Sequence, residues 1–304
     1  MPPKGREVAA VNVADEAFDE PPSRIALPKA YLSISQVNMY LRCPKQYEFR
    51  YVQDHKRPPA VPMALGSSGH VALETTHHHI VDHDVPAPTE QLLDCFSDKW
   101  TELSALIEDW EGEKPGLVKD KGVALVRMYN ERYAPAVKPQ ANEQKQDRGI
   151  EKKFEITVAG VPMLGYIDLI DTNSPLAFSE EELELMRKSG QTVPEELRSA
   201  VVDFKFKGKS MAQTEVDGSL QMTLYSLATG IYAIRFEQLL KTKTPTIKRA
   251  TAVRTKADHL WLQRIVRDVA EAITKGVFPP CDPTSWACSP KWCGYWHMCR
   301  GKKV

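Results

Sequence analysis

Asp203, Phe204 and Lys205 lie in a short apolar run, Val201 to Phe206, of a length that suits one strand. Side chains alternate along a strand, so Asp203 and Lys205 share one face while Phe204 and Phe206 turn to the other, toward the core. A carboxylate and an ammonium side by side on a buried strand are costly to desolvate unless they are paired or used. Phosphodiester hydrolysis uses both. The carboxylate holds a divalent cation, which activates water and stabilises the developing charge, and the lysine positions or activates that water. Asp-x-Lys alone is also the pattern of a salt-bridged surface strand, so its meaning rests on its surroundings.

Upstream stands Gly165-Tyr166-Ile167-Asp168, with apolar neighbours on both sides of Asp168 that argue against a simply solvated acid. Pairing of the two strands sets Asp168 beside Asp203, and two carboxylates in an oxygen-rich shell suit magnesium or manganese. Further upstream, Gly66-x-x-x-His70-x-x-x-Glu74 stacks His70 and Glu74 on one helix face. The imidazole there is a third ligand, which favours manganese slightly, and Glu74 is a further candidate catalytic acid. His77, His78, His79 and His83 cannot all face one site and read as a polar helix end. Downstream, Gln221 and Tyr225 share a helix face apart from the stripe of Leu220, Leu224 and Leu227. They fit contacts to a DNA backbone, support of the lysine, or an ordinary helix rim.

Periodicity names the elements that must position these groups. Residues 1–28 carry Pro2, Pro3, Pro21, Pro22 and Pro28 amid mixed charge and read as a flexible tail. One domain is expected over 29–304. Ser33 and Ser35 are N-cap candidates for a helix bearing Val37, Tyr40 and Leu41, and Pro44 fits the first position of a second helix, with Tyr47 and Tyr51 on one face. A third helix is expected from about Gly66, and residues 88–135 read as helical with a break at Pro115-Gly116. Alternation at Phe154, Ile156 and Val158, a turn at Gly160 and a return strand from Met163 to Ile170 predict a hairpin. Residues 173–199 are acidic and read as a surface insertion. Residues 219–233 and 257–275 read as helices, the second striped by Leu262, Ile265, Val269 and Ile273 and stopped by Gly276. Helices, strands and helices in turn predict an α/β domain with a small mixed sheet flanked by helices.

Lys+Arg and Asp+Glu are 40 each in 304 residues, so any nucleic-acid surface must be a local groove rather than a global field. The sequence shows neither a membrane-length apolar run nor a signal-peptide core, which predicts a cytoplasmic protein with reduced thiols. Six cysteines there read as metal ligands or buried apolar residues rather than disulfides. Cys95, in a helical stretch, is expected to be merely buried.

The order Gly-His-Glu, Gly-Asp, Asp-x-Lys, Gln-Tyr resembles the RecB-like branch of the PD-(D/E)XK nuclease superfamily, from about Ser33 to Cys299. The resemblance implies a restriction-endonuclease-like core and a DNA exonuclease of recombination or repair, phage or bacterial, acting on ends or single strands. It implies Mg2+ or Mn2+ held by His70, Asp168, Asp203 and the main-chain carbonyl of Phe204, a catalytic Lys205, and Gln221 and Tyr225 beside the DNA. The long segment between the Asp168 and Asp203 strands departs from the family pattern. Ser33-x-Ser35-x7-Cys43-Pro44 and Cys288-x4-Cys293-x5-Cys299 are similar to the iron–sulfur members of that branch, such as the AddB nuclease domain and CRISPR-adaptation nucleases. This resemblance implies a [4Fe–4S] cluster on Cys43, Cys288, Cys293 and Cys299, with residues 281–304 as the cluster-binding segment and Cys281 as an alternative to Cys288. Four thiolates suit zinc equally well on chemistry alone. Either metal would close a loop of about 245 residues, offsetting roughly 5 kcal/mol of closure entropy. Trp286, Trp292, Tyr295, Trp296 and His297 surround these cysteines and are expected chiefly to shield the cluster, the alternative being to stack on single-stranded bases. A recombination-protein partner or a homo-oligomer, and a catalytically silent binding module, are the remaining expectations.

Overall fold

The computed structural model describes residues 27–173, 188 and 198–300. The expected tail up to residue 26 and nearly all of the acidic insertion lie outside the described residues.

Ser33 caps α1 (Ile34–Arg42) through its side-chain oxygen, which accepts from the Gln36 amide. Pro44 opens the short α2 (Pro44–Tyr47), which runs on as a π turn over Glu48–Val52. Tyr47 and Tyr51 meet with ring centroids 5.1 Å apart, as their spacing predicts. Three longer helices follow: α3 (Val61–His83), α4 (Thr89–Ser104) and α5 (Pro115–Arg132). Leu65, Leu73, Leu92, Phe96 and Leu125 from these helices bury one sheet face, the one carrying Val202, Phe204 and Phe206.

The sheet contains β1 (Ile150–Val158), β2 (Val161–Asp171), β3 (Ala200–Lys207), β4 (Ala233–Leu240) and β5 (Thr246–Val253), paired in that order. Every pairing is antiparallel except β3 with β4. A parallel step needs a crossover, and α6 (Gln213–Asp217) and α7 (Leu220–Thr229) lie on it. Ala159 and Gly160, at φ 47° and 80°, form the two-residue turn that locks the register of β1 on β2. On the face opposite α3, Val201, Ile234 and Phe236 pack against Val216, Met222 and Tyr225. Leu262, Val266, Val269 and Ile273 of α8 (Lys256–Thr274) join Val37 of α1 over the hairpin end at Val158, Val161 and Met163. A last short helix, α9 (Trp296–Arg300), ends the described chain.

Several expectations are corrected. The third helix begins at Val61 rather than Gly66, because Pro62 is at home in a first turn. The break before Pro115 spans residues 105–114, and Leu41 is 50 % exposed rather than packed with Val37. The helix expected over 219–233 stops at Thr229, with Gly230 at φ 73°, and residues 233–253 hold a strand pair that periodicity did not disclose. Strand β4 is buried at every position, so it lacks the alternation that marks a half-exposed strand. Among the described residues, no helix is long and apolar enough to cross a membrane.

Candidate active site

Two contacts build the site. Antiparallel pairing of Leu169 with Val202 sets Asp168 across from Asp203, and Asp168 Oδ2 accepts the Phe204 amide at 2.8 Å. Helix α3 then docks at a glycine: a Cβ on Gly69 would fall 2.0 Å from the Phe206 ring, so only a bare backbone permits this approach. The docking brings the next residue, His70, to the strand. Its Nε2 lies 3.0 Å from the Phe204 carbonyl, and its Nδ1 lies 3.5 Å from Asp168 Oδ2 and 3.6 Å from Glu151 Oε1.

Lys205 Nζ donates to Asp203 Oδ1 at 3.0 Å and to Gln221 Oε1 at 3.1 Å. The Gln221 amide donates to Asp203 Oδ1 and to the Tyr225 hydroxyl, both at 2.8 Å. The i, i+4 pair on α7 therefore braces the Asp-x-Lys strand, and Tyr225 is buried rather than turned toward solvent.

Glu151 is the site residue that sequence reading missed. Its carboxylate, His70 and Asp168 offer ligand atoms all within 4.8 Å of one another. Glu151 falls between the paired residues Ile150↔Leu169 and Lys152↔Ile167, which places it opposite Asp168, and it has φ 43°. A non-glycine residue in that region inside a strand is strained, and such strain gathers where function holds it. The signal was available: counting back from a two-residue turn at Ala159-Gly160 pairs 151 with 168.

The electrostatics show a surplus of negative charge. Burial disfavours the charged form of His70, but Asp168, Glu151 and Asp203 outweigh it and raise the imidazole to about 9. Burial and the nearby Asp203 push Asp168 up to about 7. Burial opposes the Lys205 charge, and Asp203 more than restores it. Asp203 Oδ2 is buried and accepts no hydrogen bond; Lys205 Nζ, 2.8 Å away, faces it only as an ion pair. Three carboxylates, of which Asp168 holds its proton to near neutrality, form with an imidazole and a carbonyl oxygen a donor set that fits a hard divalent cation.

Glu74 lines the same cleft of about 480 Å³ with Pro62, Met63, Gly66, His70 and Glu151. Its carboxylate lies 3.7 Å from His78 and outside the ligand cluster, and burial, then Glu151, raise its pKa. His77 corrects the expected polar helix end. It is buried, hydrogen-bonded to the Tyr129 hydroxyl at 2.9 Å, and lowered to about 3 by burial and Arg235.

Cys43, Cys281, Cys288, Cys293 and Cys299 line one pocket with Phe49, Tyr295 and Trp296. Burial and the neighbouring thiols of Cys43 and Cys288 push the Cys281 thiol up to about 12. All five cysteines thus converge from the two sequence regions, while Cys95 on α4 does not join them and is only partly buried. Tyr295 donates to the His55 carbonyl at 2.9 Å, and the Arg57 guanidinium lies over the Tyr295 ring. A Cβ on Gly294 would sit 1.0 Å from Arg57, so the arginine crosses where the side chain is missing. These contacts tie the cysteine pocket to residues 53–60, which lead directly into α3 and the cleft.

The family model of the PD-(D/E)XK nuclease superfamily matches residues 31–178 and 193–300. Among solved structures, the chain is similar to a protein from Eubacterium rectale named as a candidate exonuclease. The two are 13% identical, with 85% of this chain and 87% of that chain covered and a TM-score of 0.46. It is also similar to SSO0001, at 11% identity, with 91% and 88% covered and a TM-score of 0.40. No curated protein matches the sequence.

Proposed function

Because the chain belongs to the PD-(D/E)XK nuclease superfamily, we propose that it is a divalent-cation-dependent DNA nuclease of the RecB-like branch, an exonuclease that trims DNA ends in recombination or repair. The observation that carries this reading is the convergence of His70, Glu151, Asp168 and Asp203 beside Lys205 at one end of the β2–β3 pair.

His70, Asp168, Asp203 and the Phe204 carbonyl would hold Mg2+ or Mn2+, and Glu151 joins them. Such a cation supplies an activated water and neutralises charge developing on the phosphate. Lys205 spends its donors on Asp203 and Gln221 and keeps one for the attacking water or a phosphate oxygen. Gln221 and Tyr225 hold that lysine in place, and Glu74 shapes the cleft wall. In this reading residues 29–304 form one nuclease domain in a cytoplasmic protein.

The thiol pocket holds a structural centre, a [4Fe–4S] cluster in the RecB-like reading and zinc in the alternative. Cys43, Cys288, Cys293 and Cys299 are the assigned ligands, with Cys281 close enough to replace Cys288. Purification without air and a visible spectrum decide between the metals: a broad band near ~400 nm identifies iron–sulfur, and a colourless zinc-loaded protein excludes it.

The test of the enzyme reading compares wild type with Asp203→Ala on end-labelled single- and double-stranded DNA in Mn2+, Mg2+ or EDTA. Cation-dependent degradation by the wild type alone is expected. No cleavage by fully metallated wild type would replace this reading with a silent nuclease fold that binds DNA or a recombination partner.

A further inference from the structure

The aromatic residues of the cysteine segment divide by exposure. Cys293 and Tyr295 point inward and pack with Phe49, while Trp286 and Trp292 stand 65 % and 56 % exposed. The two indoles meet edge to face, with centroids 6.3 Å apart. They therefore do not shield the thiols. Two adjacent, largely exposed tryptophans are unusual on a surface that has nothing to bind.

Their electrostatic setting is one-sided. The Lys291 ammonium lies 4.8 Å from the Trp292 ring centroid, and the Arg300 guanidinium lies over Trp296 at 5.4 Å. From Pro283 to Val304 the sequence has no Asp or Glu and carries Lys291, Arg300, Lys302 and Lys303, in a chain whose Lys+Arg and Asp+Glu, 40 each, balance over its whole length. Flat aromatic faces beside cations, without acids, match the chemistry of unpaired nucleotides: bases stack and phosphates meet the lysines. A duplex hides its base faces and would use only the charges. The segment is anchored to residues 55–57, one loop away from Pro62 and Met63 on the cleft wall.

We propose that Trp286 and Trp292, with Lys291, form a stacking site for the bases of single-stranded DNA, which leads the strand toward the cleft. This rests on the nuclease reading and adds to it a determinant of strand preference. Both tryptophans are exposed, so Trp286→Ala/Trp292→Ala should fold, which thermal unfolding checks.

The experiment measures binding in EDTA, by anisotropy of fluorescein-labelled oligo-dT and of a blunt duplex, with quenching of intrinsic tryptophan fluorescence as a second signal. Oligo-dT should quench the wild type. Each tryptophan replaced by alanine should weaken oligo-dT binding about 10-fold, and the pair about 100-fold, with phenylalanine retaining part of the affinity and duplex binding little changed. An unchanged oligo-dT affinity in the double variant would overturn the proposal, and so would an equal loss on duplex. Cleavage in Mn2+ is measured in parallel. Wild type that binds and quenches but never cleaves sinks the nuclease reading alone, whereas a double variant that binds like a cleaving wild type sinks the stacking site alone.

Discussion

On β2, Asp168 and Asp171 lie three residues apart and meet different company. Asp171 Oδ2 takes the Arg235 guanidinium at 2.6 Å, and its Oδ1 accepts the amides of Lys138 and Asn173. Glu237 meets Arg235 at 2.9 Å and Arg249 at 2.8 Å. Two acids and two arginines close a balanced set, with Asp171, Arg235 and Glu237 almost wholly buried. Around Asp168 three carboxylates, with Glu151 and Asp203, face one lysine and one histidine, and the cleft opens beside them. The balanced set neutralises its charges within itself, although the buried Glu237 Oε2 accepts no hydrogen bond. The unbalanced one raises Asp168 and His70 toward their protonated forms, and the proposed cation would take the place of those protons.

The largest expected effect falls on the open set. Asp203→Asn should lower cation-dependent cleavage on the order of 10³-fold, the equivalent of several kcal/mol of charge stabilisation. Its melting temperature in EDTA should hold or rise, because one crowded carboxylate has gone. Single-turnover cleavage and thermal unfolding read the two quantities; a joint fall would make Asp203 a structural partner like Asp171. In the closed set, Arg235→Leu strands two buried acids and should destabilise the fold by about 3–5 kcal/mol in urea titration. A near-neutral result would remove the contrast.

Gly69→Ala drives a methyl into the Phe206 ring. It should cost about 1–3 kcal/mol by overpacking and weaken Mn2+ binding by moving His70, which calorimetry of the cation would show. Unaltered cation affinity would mean that His70 reaches the site without this docking.

The pH profile separates the clusters more gently. In the cation-free protein, folding raises Asp168 to about 7 and His70 to about 9. Both shifts favour the protonated forms, so their stabilising effect is complete below the ordinary values. It is lost as pH rises through about 7 for Asp168 and about 9 for His70. The melting temperature in EDTA should therefore fall from about pH 6 to about pH 9, and Mn2+ should restore more of it the higher the pH. A flat profile with no Mn2+ increment would contradict the open set.

The sequence disclosed most of the first set and none of the second. His70 and Asp168, like Asp203 and Lys205, occupy positions where period and neighbours reveal a polar group on an apolar element. Glu151 was missed because its place shows only when the hairpin pairing is counted back from the turn at Ala159-Gly160, not in its immediate neighbours. Arg235 and Glu237 were hidden because β4 is buried on both faces, so a charged residue inside it breaks no visible alternation. Helix periodicity located α8 to within a residue or two, since one face meets water and the other the hairpin.

The seam between the early helices and the cysteine segment has a kinetic meaning. The Tyr40 hydroxyl bonds the Val277 carbonyl across 237 residues, and the Tyr295 hydroxyl bonds His55 across 240. Contacts of such sequence separation reward the chain only after the intervening core is in place, so they form late in folding. The same seam should open first on gentle destabilisation, with amide exchange at residues 53–60 and 293–299 outpacing that of β2 and β3. The wall of the cleft would then lose its anchor while the strand carrying Asp203 and Lys205 remains folded.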